Sequence, residues 1–429
     1  MTSTEILVIG AGPAGIAAAT AAAEHGCQVI VLDDNAGPGG QIWRDGIAID
    51  KRDVAKQRAF ERLARSGAKV LGNHRVFNAD AKGILQAICE GAHGATAVHF
   101  QYEQLILATG ARERFLPFPG WTLPGVFGAG GLQALAKGGL SVAGKRVIVA
   151  GTGPLLLAVA AHLKAYGATI VAVAEQASLA QLASFAASLW SQPAKISQGL
   201  QYRTALGSTP YRTGCWPVAA LPDDHRMSLR AVKLTNGKRI WEEHCDLLAC
   251  GFHLVPNTEL AALLGCAFSG NFVHVDAQHR TSHPHIFCVG EPTGIAGLEA
   301  ALLQGKIAGL TCAGEPTTAV ERRAETERTF AARLEKAFAL RPELRSLATP
   351  ETIVCRCEDV MLGTLRNHTG WTDAKLQTRC GMGPCQGRIC GPAVETLLGW
   401  KPMSIRPPIF PVPLDAFCST NKDPLEEKR

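Results

Sequence analysis

Five of the 14 cysteines fall within the 36 residues from Cys355 to Cys390. They are arranged as Cys355-Arg356-Cys357 and then Cys380-x4-Cys385-x4-Cys390. Thiolate sulfur is the ligand that iron–sulfur clusters require, and a Cys-x-Cys pair with a distant Cys-x4-Cys pair supplies four sulfurs to one 2Fe-2S centre. Structural zinc also takes four cysteines, but its usual spacing leaves two to four residues between them in each half, and Cys-x-Cys is tight for that. Ordinary buried cysteines are the third reading. The spacing favours the cluster, with all five thiols as candidate ligands.

A second kind of chemistry is written in glycine. Gly10-Ala11-Gly12-Pro13-Ala14-Gly15 follows an apolar run, Ile6 to Ile9, and an acid, Asp33, ends the next apolar run, Val29 to Leu32. Gly10 makes a tight turn, Gly12 lets a pyrophosphate approach the backbone, and Gly15 lets the helix pack on the sheet. The helix N-terminus then faces the phosphates and Asp33 bonds a ribose hydroxyl, which points to an adenine dinucleotide. Gly151-Thr152-Gly153-Pro154-Leu155-Leu156 repeats the arrangement, with Glu175 in the place of the acid. One position departs: Leu156 stands where the third glycine or alanine belongs, and a bulky side chain there pushes helix from strand. A working NAD(P) site and a retained scaffold both stay open for this second fold. If it works, Glu175 favours NAD, because a carboxylate repels a 2′-phosphate.

Strands and helices must place these groups. The apolar runs are short parallel strands, and the alanine-rich segment from Pro13 to about Glu24 is the first crossover helix. Two further strands return to the first fold. Leu105 to Gly110 reads LILATG and ends at Thr109 and Gly110; Ile286 to Gly290 reads IFCVG and leads into Glu291. Both resemble the returning strands of flavoproteins with two dinucleotide domains, in which a Gly-Asp acid bonds the ribityl chain of FAD. Here Glu291 replaces that Asp, and a helix-capping Glu is the plain alternative. In the second fold, Val147 to Ala150 and Ile170 to Ala174 are the strands, joined by a helix through about Tyr166. The segment at 247–261 leads back out, and its His253 reads as a turn or packing histidine rather than a base. From 319 to 347 an amphipathic connector helix carries Phe330, Leu334, Phe338 and Leu340 and is ended by Arg341-Pro342. The stretch from Ile405 to Leu414 is too proline-rich for a central strand and runs extended over its own surface or a partner's.

Composition limits the function classes. At 429 residues the chain holds about three domains. Its net charge of +6 is spread along the sequence, with no basic stripe interleaved with aromatics, so nucleic acid is not an expected partner. No run of 18 apolar residues occurs, so no membrane span is expected. The N-terminus enters a strand at once, leaving no room for an export signal, and the many cysteines then suit a reducing cytoplasm.

Taken together the motifs resemble the α subunits of bacterial multi-subunit flavin dehydrogenases. These are the hydroxyproline and proline dehydrogenases, opine oxidases and hydrogen cyanide synthase, and more distantly heterotetrameric sarcosine oxidase. PGGQIWR at 38–44, ATGARER at 108–114, PFPGWTLPGV at 117–126, GEPTGIAG at 290–297, TIVCRCEDV and RCGMGPCQGRICGP carry the match over essentially the whole chain. The cysteine segment is similar to the bacterioferritin-associated-ferredoxin-like domain.

The resemblance implies an α/β fold of two Rossmann-like dinucleotide-binding domains, one inserted in the other, plus a small helical C-terminal 2Fe-2S domain. The expected division is 1–118 with 270–316 for the first nucleotide domain, 119–269 for the second, 317–348 for the connector helix, 349–400 for the cluster domain and 401–429 for an extended tail. It implies cofactor contacts at Gly10, Gly12, Pro13, Ala14, Gly15, Asp33, Gly40, Gln41, Thr109, Gly110, Gly290 and Glu291, and in the second fold at Gly151, Gly153 and Glu175. Gln41 and Trp43 would flank a flavin ring; Trp43 as a core aromatic is the alternative. Relatives place both distal ligands in GMGPCQGRIC, so the implied ligand set is Cys355, Cys357, Cys385 and Cys390, with Cys380 as a spare. The implied cofactors are FAD, or NAD or ATP, in the first fold and a 2Fe-2S cluster, with FMN at a subunit interface and NAD in the second fold as further candidates.

The implied reaction oxidises an amino or imino acid, D-hydroxyproline first, to an imine, with electrons leaving through flavin and cluster. The implied partners are a catalytic β-type flavoprotein subunit, a small ferredoxin-like subunit, and a peripheral respiratory-chain contact. No histidine, tyrosine or arginine constellation marks a carboxylate pocket, so no catalytic residue is assigned. Opine oxidase and hydrogen cyanide synthase subunits are alternatives of the same group. A stand-alone NAD(P)H reductase of the thioredoxin reductase type would need a Cys-x-x-Cys dithiol in the second nucleotide domain, and none exists there. A non-catalytic electron-transfer subunit is the remaining reading.

Overall fold

The strands that carry the first glycine turn are buried on both faces, as helices packed on either side of a parallel sheet require. In the computed structural model, which describes residues 1–44, 54–79, 83–91, 94–190, 192–225, 227–401 and 405–414, Thr2–Ile9 pairs in parallel with Val29–Leu32 and with Gly94–Leu107. Ile286–Cys288 joins Gly94–Leu107 in parallel, with Ile286 opposite Leu105. The sheet order is Lys69–Leu71, Val29–Leu32, Thr2–Ile9, Gly94–Leu107, Ile84–Gly91, His74–Ala79. The strands of its parallel part end together, which gathers their following turns at one edge. The helix Pro13–Ala23 crosses Leu298–Cys312 with small residues at the contact: a Cβ on Gly305 would lie 2.1 Å from the Ala14 carbonyl oxygen.

The chain divides into two compact units. One comprises Met1–Arg112, Pro256–Ala331 and Ser404–Arg429; the other comprises Glu113–Val255 and Ala332–Met403. Of the tail, residues 405–414 belong to the first. There the Ile409 N–H donates to the Phe77 carbonyl at 2.9 Å, and Ile409 is buried, so the segment lies on its own unit. The expected tail residues 402–404 and 415–429 lie outside the described residues.

The second unit is built on a parallel sheet of Tyr211–Thr213, Thr169–Glu175, Arg146–Thr152, Leu247–Phe252 and Val126–Gly128. It also holds an antiparallel meander, Trp216–Pro222, Leu229–Thr235 and Ile240–His244, which the sequence patterns did not single out. The cysteine segment belongs to the same unit. It forms a short hairpin, Ile353–Cys355 with Val360–Met361, and the helices Leu362–Leu365, Trp371–Thr378 and Cys390–Leu398 around a small core of Val354, Leu362, Leu365, Ala393 and Val394.

One element ends earlier than expected. The connector helix is Thr318–Ala337 and stops before Phe338 instead of at Arg341. The Phe338 carbonyl is drawn to His253 Nε2 at 2.7 Å rather than into another helical turn. Among the described residues no helix is long and apolar enough to cross a membrane.

Candidate functional site

The first glycine turn is held by backbone that admits no side chain. Gly10 has φ +105°, and a Cβ there would stand 2.3 Å from the Ala108 carbonyl oxygen. Gly12 differs: it has ordinary extended backbone and its Cβ would touch only Gly40 Cα, at 3.9 Å. The space above Gly12 is therefore open to a ligand. Pro13 and Ala14 begin the helix, and Gly40 lies against Gly12.

Asp33 is buried at the end of its strand, where Oδ2 accepts the Ala11 N–H at 2.6 Å and Oδ1 accepts the Asn35 N–H and side-chain amide at 2.7 and 2.8 Å. Gly290 closes on the same turn, since its Cβ would meet Ala14 Cβ at 3.1 Å. Thr109 and Gly110 are tied to Asn257: Thr109 Oγ1 donates to the Asn257 carbonyl at 2.5 Å, and the Asn257 N–H donates to the Gly110 carbonyl at 2.9 Å.

Glu291 Oε1 accepts the Gly297 N–H at 3.1 Å, while its Oε2 is buried without a partner. Loss of solvent pushes this carboxyl up to about 7, although the Gly297 and Ala296 amides oppose the shift. An orphaned acceptor beside an open glycine turn fits a polyhydroxyl ligand such as the ribityl or ribose part of a dinucleotide. Gln41 is exposed and its Oε1 accepts from Arg44 at 2.9 Å. Trp43 is buried, with its ring 5.9 Å from Phe60 and its Nε1 without a hydrogen-bond partner.

The second glycine turn is built differently. Gly151 is again forced, with its Cβ position 1.9 Å from the Gly251 carbonyl oxygen. The helix Leu155–Ala165 starts one residue later, relative to the glycines, than Pro13–Ala23 does, and the Leu156 N–H is used in a turn to the Gly153 carbonyl at 3.1 Å. Leu156 is fully buried in the core of this fold. Glu175 is fully buried as well, its oxygens accepting the Gly153 and Ala177 N–H groups at 2.8 Å each.

Burial pushes Glu175 up to about 7 against the pull of those amides. The folded form thus keeps its proton to higher pH than the unfolded chain. The stabilisation is complete below pH 4.5 and is lost as the pH rises to about 7, by about 3 kcal/mol. Urea unfolding at roughly pH 5 and pH 8 checks this: the decline in stability of the wild type should be shallower in Glu175→Gln.

The five cysteines converge within the second unit. Among the described residues Cys355, Cys380 and Cys390 form the group of potential ligand atoms lying within 4.8 Å of one another. Cys385 hydrogen-bonds Cys390 on one side and Cys357 on the other, which extends the cluster to all five. Hydrogen bonds from Cys380 and Cys390 hold the Cys355 thiol far below its usual range, and the Cys390 thiol is pushed up by the same sharing. A nest of sulfurs that share protons is one in which a metal can replace those protons.

Backbone amides also point at sulfur: those of Gly381 and Glu358 at Cys355, and those of Ile389 and Gly387 at Cys385. Such amides are the groups that tune cluster potential. A cavity of about 200 Å3 adjoins the sulfurs, lined by Cys355, Cys357, Cys385 and Cys390 together with Phe115, Trp121, Arg356 and Ile389. Cys380 is buried and is not in that lining.

The aromatic wall was not anticipated. Trp121 Nε1 donates to the Ile353 carbonyl at 2.6 Å, and the Arg356 guanidinium lies 5.5 Å over the Trp121 ring. Its signal was present, since Phe115 and Trp121 lie in a proline-rich motif and Arg356 separates two candidate ligand cysteines. Only the packing joins them.

The family described as pyridine nucleotide-disulphide oxidoreductase matches residues 4–313. The chain is 32% identical to hydrogen cyanide synthase subunit HcnB of Pseudomonas aeruginosa over 96% of its own length and 97% of that protein's. It is likewise 32% identical to one of the opine oxidase subunits of Rhizobium meliloti, covering 96% of this chain and 98% of that one. Among solved structures it is similar in fold to L-proline dehydrogenase from P. horikoshii, with a TM-score of 0.67 at 19% identity over 97% of this chain and 79% of that one.

Proposed function

Because this chain belongs to the pyridine nucleotide-disulphide oxidoreductase family, a group of flavin oxidoreductases on Rossmann domains, we propose that it is the electron-carrying subunit of a flavin-dependent amino-acid dehydrogenase. Its substrate is an amino or imino acid, D-hydroxyproline first, converted to the imine. Partial support comes from relatives that are themselves called subunits, of an opine oxidase and of hydrogen cyanide synthase.

The observation that carries the reading is the sulfur nest beside its own cavity. A bound flavin supplies hydride acceptance and a bound cluster supplies one-electron transfer. The chain's own residues do the rest. Cys355, Cys357, Cys385 and Cys390 hold the cluster, and the amides of Gly381, Glu358, Gly387 and Ile389 stabilise charge on the sulfurs. The Gly10–Gly15 turn holds the pyrophosphate of FAD, or of NAD or ATP, while Asp33 and Glu291 take hydroxyls. A β-type flavoprotein subunit carries the substrate pocket, and a small ferredoxin-like subunit completes the complex in the cytoplasm.

A non-catalytic electron-transfer role is the second reading, favoured by the buried Leu156 in the second glycine turn. Co-expression with a candidate β-type flavoprotein subunit tests both. The complex should reduce a dye with D-hydroxyproline and this chain alone should not. Activity of the isolated chain on an imino acid would overturn the division of labour, and a complex that bleaches with no amino or imino acid would leave the second reading.

A further inference from the structure

A family with paired dinucleotide folds implies NAD(P) in the second one, and the residues there do not fit it. We infer that the second nucleotide fold is filled by its own chain: Phe338–Arg341 occupies the place of the dinucleotide, so NAD(P)H neither binds there nor feeds electrons into this subunit.

A dinucleotide in such a fold lays its pyrophosphate on the glycine turn and its ribose hydroxyls on the acid ending the second strand. In this protein the side chains that flank both places bond the connector instead, although no atom lies within 4 Å of a Cβ position on Gly153 itself. Thr152, between Gly151 and Gly153, donates its hydroxyl to the Phe338 carbonyl at 3.1 Å. His253 Nε2 meets the same oxygen at 2.7 Å. Gln176, next to the acid, donates to the Ala339 carbonyl at 3.1 Å and accepts the Arg341 N–H at 3.1 Å. Its amide also reaches Thr152 Oγ1 at 2.9 Å, so turn, acid strand and connector form one polar network.

Apolar contacts close the site around this network. Phe338 is buried with Ala177 and Ala337, and its ring meets Phe185 edge-on at 5.3 Å. Arg341 seals the far end, stacked 3.8 Å from the Trp216 ring and paired with Glu343. Glu175 has no exposed surface on which a ribose could be received.

The occupant is a backbone carbonyl and an aromatic ring, which stand in chemically for a phosphate oxygen and an adenine. It is tethered, so its effective concentration is of order millimolar before any favourable contact is counted. A free dinucleotide must displace it and also accept a turn whose Leu156 amide is already used. The same segment leads directly into the cluster domain, so the second fold serves as that domain's anchor.

Hydrogen exchange on the full-length protein, with and without roughly millimolar NADH or NADPH, tests the inference. Amides at 151–157 and 338–341 should exchange within about twofold of their unliganded rates. Protection of 151–157, or release of 338–341 by about tenfold or more, would overturn it. Ligand in the first fold registers separately, at 10–16. Phe338→Ala should speed exchange of the Gly153 and Ala177 amides by about tenfold; unchanged rates there would show that the segment merely rests on the fold. None of these outcomes depends on which amino acid the complex oxidises.

Discussion

Cys385→Ser abolishes the visible iron–sulfur absorption and strips iron from the purified protein, whereas Cys380→Ser leaves both in place. The expectation rests on where the sulfurs lie. Cys385 lines the cavity and bridges the buried Cys390 to the exposed Cys357. In the proposed ligand set its loss removes one of four sulfurs, and Ser is a poor replacement for a soft thiolate. Cys380 is buried behind Cys355 and Cys390, where its thiol donates a hydrogen bond to the Cys355 sulfur. Replacing it with Ser keeps a donor of similar size there, so the change should appear as a modest shift in midpoint potential. Iron analysis with an absorption spectrum of each variant decides. Retention of the chromophore in Cys385→Ser and its loss in Cys380→Ser would mean that the cluster hangs on the tight trio of Cys355, Cys380 and Cys390 instead.

The second large effect is expected at Gly12, in contrast to Gly10. Gly12→Ala introduces a Cβ into extended backbone with only Gly40 Cα in reach, at 3.9 Å. The fold should tolerate it, with stability unchanged or raised by about 0.5 kcal/mol through the unfolded chain. The methyl group nevertheless stands where a pyrophosphate must approach. Loss of charge-assisted bonds of about 3 kcal/mol predicts roughly a hundredfold weaker nucleotide retention. Gly10→Ala should fail differently. Its left-handed φ and a contact of 2.3 Å cost at least about 2 kcal/mol and disturb the turn itself. Thermal unfolding beside extracted-nucleotide analysis separates the two. Equal nucleotide content in wild type and a folded Gly12→Ala protein would remove the first fold from the list of cofactor sites.

Much of the architecture was legible because its signals are local. An apolar run, a glycine turn and an acid at fixed spacing specify strand, turn and helix whatever surrounds them, and both folds appeared at Thr2–Ile9 and Arg146–Thr152 with their helices behind them. The antiparallel meander Trp216–Pro222, Leu229–Thr235 and Ile240–His244 escaped notice because its strands carry no such punctuation and pair only through tertiary registry. The connector's end was misplaced for a related reason. Helical spacing continues through Phe338 and Leu340, so pattern alone extends the helix, and only the acceptor-hungry groups of Thr152, Gln176 and His253 end it.

The sequence by itself determined the kinds of chemistry available: five thiols in ligand spacing, two glycine turns with their acids, and a leucine at the third small position. Residue type and spacing suffice there, because ligand identity and tight turns are properties of a few adjacent residues. Which of those groups remain accessible was decided only by tertiary structure. Two similar turns differ in what lies beside them: an orphaned Glu291 oxygen near the first, and in the second a sealed Glu175 flanked by Thr152 and Gln176, which bond the Phe338 and Ala339 carbonyls. The five thiols likewise divide into four that line a cavity and one that backs it. Accessibility depends on what distant segments fold back onto a site, and no local pattern records that.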